Sequence, residues 1–201
     1  MITIRSVDSK EKALIGDIVD IHIRTFRHFF LTFMNKGFLR QMYRSYCEYQ
    51  NAELLVALDD DKAVGFIAYS TDMSGLYKFM LRRHLISFGW YAFLAFLRKP
   101  SIFAKLFGAF TKPKQAERED SYVRLSSIGV DPDCKSEGIG SKLIDEMKSR
   151  VDFSRYHYIS LETDANDNDA VNSFYQKNEF ALAYDFVTPE GRQMNEYRYC
   201  R

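Results

Sequence analysis

Hydrophobic positions along the chain follow two different spacings. Apolar residues at alternate positions predict short strands, and apolar residues three or four positions apart predict amphipathic helices. The predicted strands cover residues 2–7, 54–58, 63–69, 122–130, 158–163, 181–187 and 195–200. The predicted helices cover residues 14–23, 38–49 and 139–151, and a further helix lies within residues 168–180. Strands and helices therefore share the chain, and enough strands are present for one central sheet.

Composition limits the classes of protein that this sequence can represent. Of 201 residues 46% are hydrophobic, which suffices for a large core, so we expect residues 1–201 to form a single domain. No apolar run reaches the roughly 18 residues of a membrane-spanning helix, and the N-terminus lacks the pattern of a signal peptide. The cysteines (Cys47, Cys134 and Cys200) and the four histidines lack the spacing of metal ligands. We therefore expect a cytoplasmic protein with free thiols and no bound metal.

The stretch from Ser127 to Leu143 joins the end of a predicted strand to the start of a predicted helix. Pro132 stops the strand because it lacks an N–H group, and Gly138 and Gly140 allow the backbone to come close to a bulky ligand. Such a loop directs unpaired backbone N–H groups at one point, where the positive end of the helix dipole also acts. This arrangement favours the binding of an anion. The glycine spacing fits neither the Walker A loop nor the dinucleotide-binding fingerprint.

A second spaced motif, NDAVNSFYQKNEF, follows at Asn168 to Phe180. Together with the loop from Lys135 to Gly140 after Val130-Asp131-Pro132, it resembles the two motifs of the GNAT superfamily of acetyltransferases. These are written [QR]-x-x-G-x-[GA] after V-x-P, and N-x-x-[AV]-x-x-x-Y-x-x-x-G-F. The resemblance implies the GNAT acyl-CoA N-acyltransferase fold, an α/β (α+β) architecture with a mixed central sheet of about seven strands flanked by helices.

This chain departs from the family pattern at one position of each motif. Lys135 stands where Gln or Arg is usual, and Glu179 stands where Gly is usual. Most of the first loop acts through backbone N–H groups, so the lysine leaves its expected role unchanged. At the end of the second motif we expect Asn178 to supply the left-handed residue that ends the helix.

The resemblance also implies acetyl-CoA as the co-substrate, with no metal. The pantetheine arm is expected to pair with the backbone of the strand at Ile128, Gly129 and Val130, and the Val130 N–H is expected to polarise the thioester carbonyl. The pyrophosphate is expected on the backbone amides of the loop and of the helix start, namely Lys135, Ser136, Glu137, Gly138, Ile139, Gly140 and Ser141.

The same family pattern suggests catalytic residues, each with a structural alternative. Tyr175 is the candidate general acid for the departing thiolate, or else it packs on the cofactor arm. Asn168 either hydrogen-bonds the pantetheine or caps its helix. Glu162 is the candidate general base, or else an ordinary polar position on an alternating strand. Glu119, Asp120 and Tyr122 are fallback bases that would act through water.

The segment from Met73 to Ala116 is an insertion between the third and fourth strands of a minimal GNAT fold. It carries eight Lys or Arg residues, ten aromatic residues and no Asp or Glu, so the rest of this +1 chain carries −7. Three interpretations stay open. The segment is a packing layer on the sheet edge or on a second subunit of a homodimer, a lid whose cations attract an anionic acceptor, or a patch for a membrane surface or nucleic acid.

The function implied by the resemblance is an acyltransferase that moves acetyl from acetyl-CoA to a primary amine. We expect a small-molecule acceptor, such as an amino sugar or a nucleotide sugar, and no nucleic-acid partner. Two alternatives stay open: acetylation of a protein or peptide N-terminus, and acyl-CoA binding by a regulatory module without turnover. The motifs concern CoA, so they leave the length of the acyl chain open.

Overall fold

The structure is a computed structural model that describes residues 1–26, 35–83, 121–134, 138–189 and 191–201. Within these residues seven strands form one sheet in the order β1-β2-β3-β4-β5-β7-β6. The strands are β1 (Ile2–Ser6), β2 (Ala52–Asp59), β3 (Lys62–Ser70), β4 (Tyr122–Val130), β5 (Tyr158–Asp164), β6 (Ala181–Val187) and β7 (Gln193–Tyr199). The pair β4–β5 is parallel and the other neighbouring pairs are antiparallel, which confirms the predicted mixed sheet.

Helices cover both faces of the sheet. The described residues form α1 (Lys12–Thr25), α2 (Lys36–Glu48), α3 over residues 73–83, α4 (Ile139–Arg150) and α5 (Asp169–Lys177). One apolar cluster joins α1, α2 and α3 to one face, and a second joins α4 and α5 to the other. No described helix is long and apolar enough to cross a membrane. Burial of apolar side chains on both faces is what holds the helices on the sheet.

The turn before α1 and the turn after α5 set the ends of these two helices. Helix α1 begins after Glu11, and the Asp8 carboxylate accepts a hydrogen bond from the Lys10 N–H in the preceding turn. The expectation that Asn178 adopts the left-handed conformation is wrong. Asn178 has a φ of −94°, and Glu179 has a φ of 65°. The position that is glycine in the family pattern is thus the position that needs positive φ.

The predicted insertion lies between β3 and β4, which are neighbours in the sheet although residues 71–121 separate them along the chain. Its first part forms α3, whose Leu76 and Met80 are buried in the cluster with α1 and α2. Residues 84–116 of the insertion lie outside the described residues. For the described part, packing against the core is therefore the observed arrangement.

Candidate active site

A deep cleft opens where β4 and β5 part. Their pairing ends at Arg124 and Ser160, while β4 continues to Val130 and β5 continues to Asp164. The cleft has a volume of about 1100 Å³ and reaches from α1 and α2 to the starts of α4 and α5. Along the second half of β4, one edge of the strand therefore faces the cleft.

The hydrogen bonds of β4 decide which backbone groups face that open edge. The Asp131 N–H donates to the Val64 carbonyl oxygen at 2.8 Å, so Asp131 is turned toward β3. Successive residues of a strand turn their N–H and C=O groups to opposite edges. Gly129 is therefore turned toward β3, and Ile128 and Val130 are turned toward the cleft. The Val130 carbonyl oxygen already accepts a hydrogen bond from Thr25 Oγ1 at 3.1 Å. Within the described residues, the Val130 N–H and both backbone groups of Ile128 are therefore left for a ligand.

The start of α4 forms the next part of the cleft wall. Gly138 precedes the helix with a left-handed φ of 70°, and a Cβ atom built there would meet no atom within 4 Å. Its carbonyl accepts the first helical hydrogen bond, from the Lys142 N–H at 3.0 Å. The N–H groups of the first helical turn have no partner within the helix, so Gly138 and the three residues after it supply the donors that an anion needs.

The two loop glycines have different roles. A Cβ atom at Gly140 would lie 3.1 Å from two ring atoms of Phe174 in α5, which is tighter than ordinary packing. Gly140 therefore allows α4 and α5 to pack closely, in addition to lying at the cleft. Gly138, in contrast, is required for its backbone conformation and not for space. Both residues were predicted from the sequence as glycines that allow a ligand to approach.

Tyr175 lies on α5 with its ring in the core beneath the cleft. Its ring centroid is 5.4 Å from that of Phe174, 5.9 Å from that of Phe180 and 6.0 Å from that of Tyr197. Burial raises the pKa of the Tyr175 hydroxyl well above its ordinary value, so the phenol stays protonated near neutral pH. Tyr175 lines the cleft in its protonated form, but the raised pKa also makes the phenol a weaker acid than an ordinary tyrosine, so its role as general acid stays a prediction.

Glu162 lies on β5 beyond the point where β4 and β5 part. One carboxylate oxygen lies 2.8 Å from the Arg124 guanidinium, and both side chains are mostly buried. Arg124 also donates to Ser160 Oγ at 3.2 Å, so one arginine spans the last paired position of the two strands. The carboxylate thus lines the cleft in a held orientation. Tyr122, one fallback base, lies at the paired start of β4, and Glu119 and Asp120 lie outside the described residues.

Asn168 does not cap α5 with its side chain. Its amide nitrogen donates to Thr163 Oγ1 at 2.8 Å and to the Asp164 carbonyl at 3.0 Å, which ties the start of α5 to the end of β5. Of the two roles predicted for Asn168, the side-chain cap is therefore wrong. The side chain lines the cleft, where contact with a pantetheine arm stays a prediction.

The structure brings the described members of the predicted site to one cleft. Its lining includes Ile128, Gly129, Val130, Gly138, Ile139, Gly140, Ser141, Glu162, Asn168 and Tyr175. Lys135, Ser136 and Glu137 lie outside the described residues. Within the part of the chain that the structure describes, no group of three or more His, Cys, Asp or Glu side chains is arranged to hold a metal ion.

The opposite wall of the cleft was not predicted from the sequence. This wall comes from α1, α2 and α3 and is mainly apolar and aromatic, with Phe26, Phe38, Met42, Tyr46, Tyr77, Met80 and Leu81. Its polar members include His22 and Tyr43, which are buried and hydrogen-bonded to each other. Their helical spacing predicts only that such residues are buried in the core. No local motif indicates that they lie opposite β4.

Comparisons with known proteins agree with this architecture. Residues 17–180 match the family described as the Acetyltransferase (GNAT) family. Among curated protein sequences, none matches the chain. Solved structures with a similar fold include aminoglycoside 6'-acetyltransferase type Ii, at 14% identity and a TM-score of 0.64, with coverage of 98% of this chain and 96% of that one.

Two further solved structures, from Escherichia coli and Arabidopsis thaliana, have a fold similar to that of this chain. The ribosomal-protein-S18-alanine N-acetyltransferase of Escherichia coli has 13% identity and a TM-score of 0.59, over 100% of this chain and 94% of that one. NAA60 of Arabidopsis thaliana, solved with acetyl-CoA, has 12% identity and a TM-score of 0.57, over 100% of this chain and 98% of that one. At these identities the structures show the fold, and the sequence match over residues 17–180 shows that this chain belongs to the GNAT family of acetyltransferases.

Proposed function

We propose that this protein transfers acetyl from acetyl-CoA to a small-molecule primary amine. The observation that carries the proposal is the single cleft in which the open edge of β4 lies beside the N-terminus of α4. An open strand edge suits the amide-rich pantetheine arm, and a helix N-terminus suits the pyrophosphate. Both features also fit a binding module without turnover, so the chemistry rests on the side chains around them.

In this proposal the amine attacks the thioester carbonyl beside Val130. The carbonyl oxygen gains negative charge during attack, and the Val130 N–H stabilises that charge. The departing CoA sulfur takes a proton from Tyr175, which lines the cleft. An acceptor amine with an ordinary pKa near 10 arrives as an ammonium ion, and we assign its first proton to Glu162. The nitrogen loses its second proton as the C–N bond forms and the C–S bond breaks, and that proton replaces the one that Tyr175 gives to the sulfur.

The wall from α1, α2 and α3 favours an amine on an apolar or aromatic body. Its aromatic and aliphatic side chains gain most from a ligand that buries apolar surface. Among the described residues of this wall, none is a Lys or Arg that could pair with an anionic nucleotide sugar. Arg82 and Arg83, two of the cations expected over the acceptor, are exposed and lie with Lys78 around a separate depression. We therefore place the acceptor among apolar amines and not among nucleotide sugars.

The test is a panel of amines with release of free CoA thiol as the readout and mass spectrometry of the product. The panel contains arylalkylamines, alkylamines, an aminoglycoside, an amino sugar, a nucleotide amino sugar and short peptides with apolar first residues. We expect the highest kcat/KM with arylalkylamines or alkylamines and little thiol release without amine. Transfer to peptides alone would contradict the small-molecule acceptor. Tight acetyl-CoA binding with no transfer to any amine would contradict the enzyme and support the binding module.

A further inference from the structure

His22, Tyr43 and Ser127 form a hydrogen-bonded chain that runs from α1 through α2 to β4. His22 Nδ1 lies 2.7 Å from the Tyr43 hydroxyl oxygen, and that oxygen lies 3.3 Å from Ser127 Oγ. The side chains of His22 and Tyr43 are buried, with 2% and 0% of the residue exposed. All three residues line the cleft. The chain therefore connects the core between α1 and α2 to the wall beside the open edge of β4.

Ser127 occupies a special place on that wall. The pairing of β4 with β3 is irregular just before it, because Ala68 faces Ser127 while Tyr69 faces Leu125, which leaves Ser126 as an extra residue. This bulge turns Ser127 toward Tyr43, and a bulge next to a site commonly re-aims a side chain. Ser127 also directly precedes Ile128, whose backbone faces the cleft. Its hydroxyl therefore lies beside the open edge of β4 that the pantetheine arm is expected to follow, on the wall where the acceptor is proposed to bind.

The direction of the hydrogen bonds follows from what an attacking amine can offer. The nitrogen uses its lone pair to bond the carbonyl carbon, so it presents only N–H donors to its surroundings. A serine hydroxyl stabilises that nitrogen only if it accepts, and its oxygen is best directed at the nitrogen when its own proton is donated to another group. Burial lowers the pKa of His22 to about 4, so its imidazole is neutral at pH 7 and one ring nitrogen carries a lone pair.

We propose that Ser127 Oγ accepts a hydrogen bond from the N–H of the acceptor amine, and that Tyr43 and His22 are positioning residues that set the direction of this bond. Ser127 donates to Tyr43, and Tyr43 donates to His22 Nδ1. The imidazole proton then lies on Nε2, which has no hydrogen-bond partner among the described residues. This inference rests on the proposed function, because it assigns a contact to the acceptor of that reaction.

One test of the direction does not depend on activity. In the ¹⁵N NMR spectrum of the full chain at pH 7, the His22 ring should show the neutral tautomer with the proton on Nε2. A spectrum of the His22→Gln variant identifies the His22 signals among those of the four histidines. In Tyr43→Phe the Nδ1 signal should move, because that nitrogen loses its donor. A proton on Nδ1 in the wild-type protein would overturn the proposed direction.

A double-mutant cycle tests the role in catalysis. Ser127→Ala should lower kcat/KM for the best amine about 10- to 100-fold, the range for a hydrogen bond to a group that develops charge. Tyr43→Phe keeps the buried ring and should lower it about 5- to 20-fold. The double variant should be no worse than Ser127→Ala, since Tyr43 acts only through Ser127. Ser127→Thr keeps a hydroxyl and should recover most of the activity.

The controls separate this inference from a general loss of structure. Tyr69→Phe removes another buried tyrosine hydroxyl, one that donates to Glu53 outside the cleft, and should leave kcat/KM within about twofold. Affinity for acetyl-CoA, measured by calorimetry, should stay within a few fold in every variant. If the effects of Ser127→Ala and Tyr43→Phe multiply, or if Ser127→Ala is within twofold of wild type, the inference is wrong while the proposed function stands. If the wild-type protein acetylates no amine, both fail together.

Discussion

The charge at position 138 tests the anion site at the start of α4. Gly138→Asn and Gly138→Asp introduce side chains of equal size at a position with φ of 70° and no atom within 4 Å of the new Cβ. Asn and Asp are the non-glycine residues that best tolerate this conformation, so both variants carry a similar backbone cost, on the order of 1 kcal/mol. The two variants differ in one negative charge, and that charge lies beside the expected pyrophosphate.

The size of the effect follows from Coulomb's law. At roughly 6 Å, two like charges repel by about 0.7 kcal/mol in water and about 3 kcal/mol at an effective dielectric constant of 20. Since the pyrophosphate carries more than one charge, we expect Gly138→Asp to bind acetyl-CoA about 10- to 100-fold more weakly than Gly138→Asn. Stability should change in the opposite direction, because an acidic side chain at a helix N-terminus gains about 0.3–1 kcal/mol from the helix dipole.

The assay is calorimetry with acetyl-CoA at low and at physiological salt, together with thermal unfolding of both variants without ligand. The difference in Kd should shrink as salt rises, because exposed charges are screened over about 8–10 Å. Acetyl-pantetheine, which lacks the pyrophosphate, is the matched ligand and should bind both variants equally. Equal Kd values for acetyl-CoA at low salt would refute the assignment of the anion site to the start of α4.

Two other predictions concern α5. Tyr175→Phe should lower kcat by roughly 100-fold or more while the Kd of acetyl-CoA stays within a few fold, because the ring still packs and only the proton donor is lost; an unchanged kcat would reduce Tyr175 to a packing residue. Glu179→Gly should have a free energy of unfolding about 1 kcal/mol higher than that of Glu179→Ala, and so a higher midpoint in a denaturant titration. Both variants lose the ion pair with Lys148, and only alanine keeps the strain of a φ of 65°. Equal midpoints for the two variants would show that the backbone at 179 relaxes without cost.

Local motifs made much of the cleft predictable. The backbone of Ile128 and Val130, the turn at Gly138 and the ring of Tyr175 lie within short segments whose spacing indicates both an element and a ligand. The alternation of apolar residues likewise predicted the strands that now form the sheet. In each of these cases the relevant contacts are made by residues close in sequence or by adjacent strands.

Contacts between distant segments were beyond such patterns. His22 and Tyr43 are 21 residues apart, and Tyr43 and Ser127 are 84 residues apart, so their meeting depends on how α1 and α2 pack on β4. The ion pair between Arg124 and Glu162 likewise depends on the register of β4 with β5.

One measurement tests the central claim most directly, namely that the thioester reacts at the open edge of β4. An amide-to-ester replacement at Val130 removes one backbone N–H and keeps the side chain. Because that N–H faces the cleft and not β3, the replacement deletes no hydrogen bond donated to the sheet. The account predicts a kcat for thiol release about 100-fold lower than that of the wild-type protein, with the Kd of acetyl-CoA within a few fold. An unchanged kcat would contradict it.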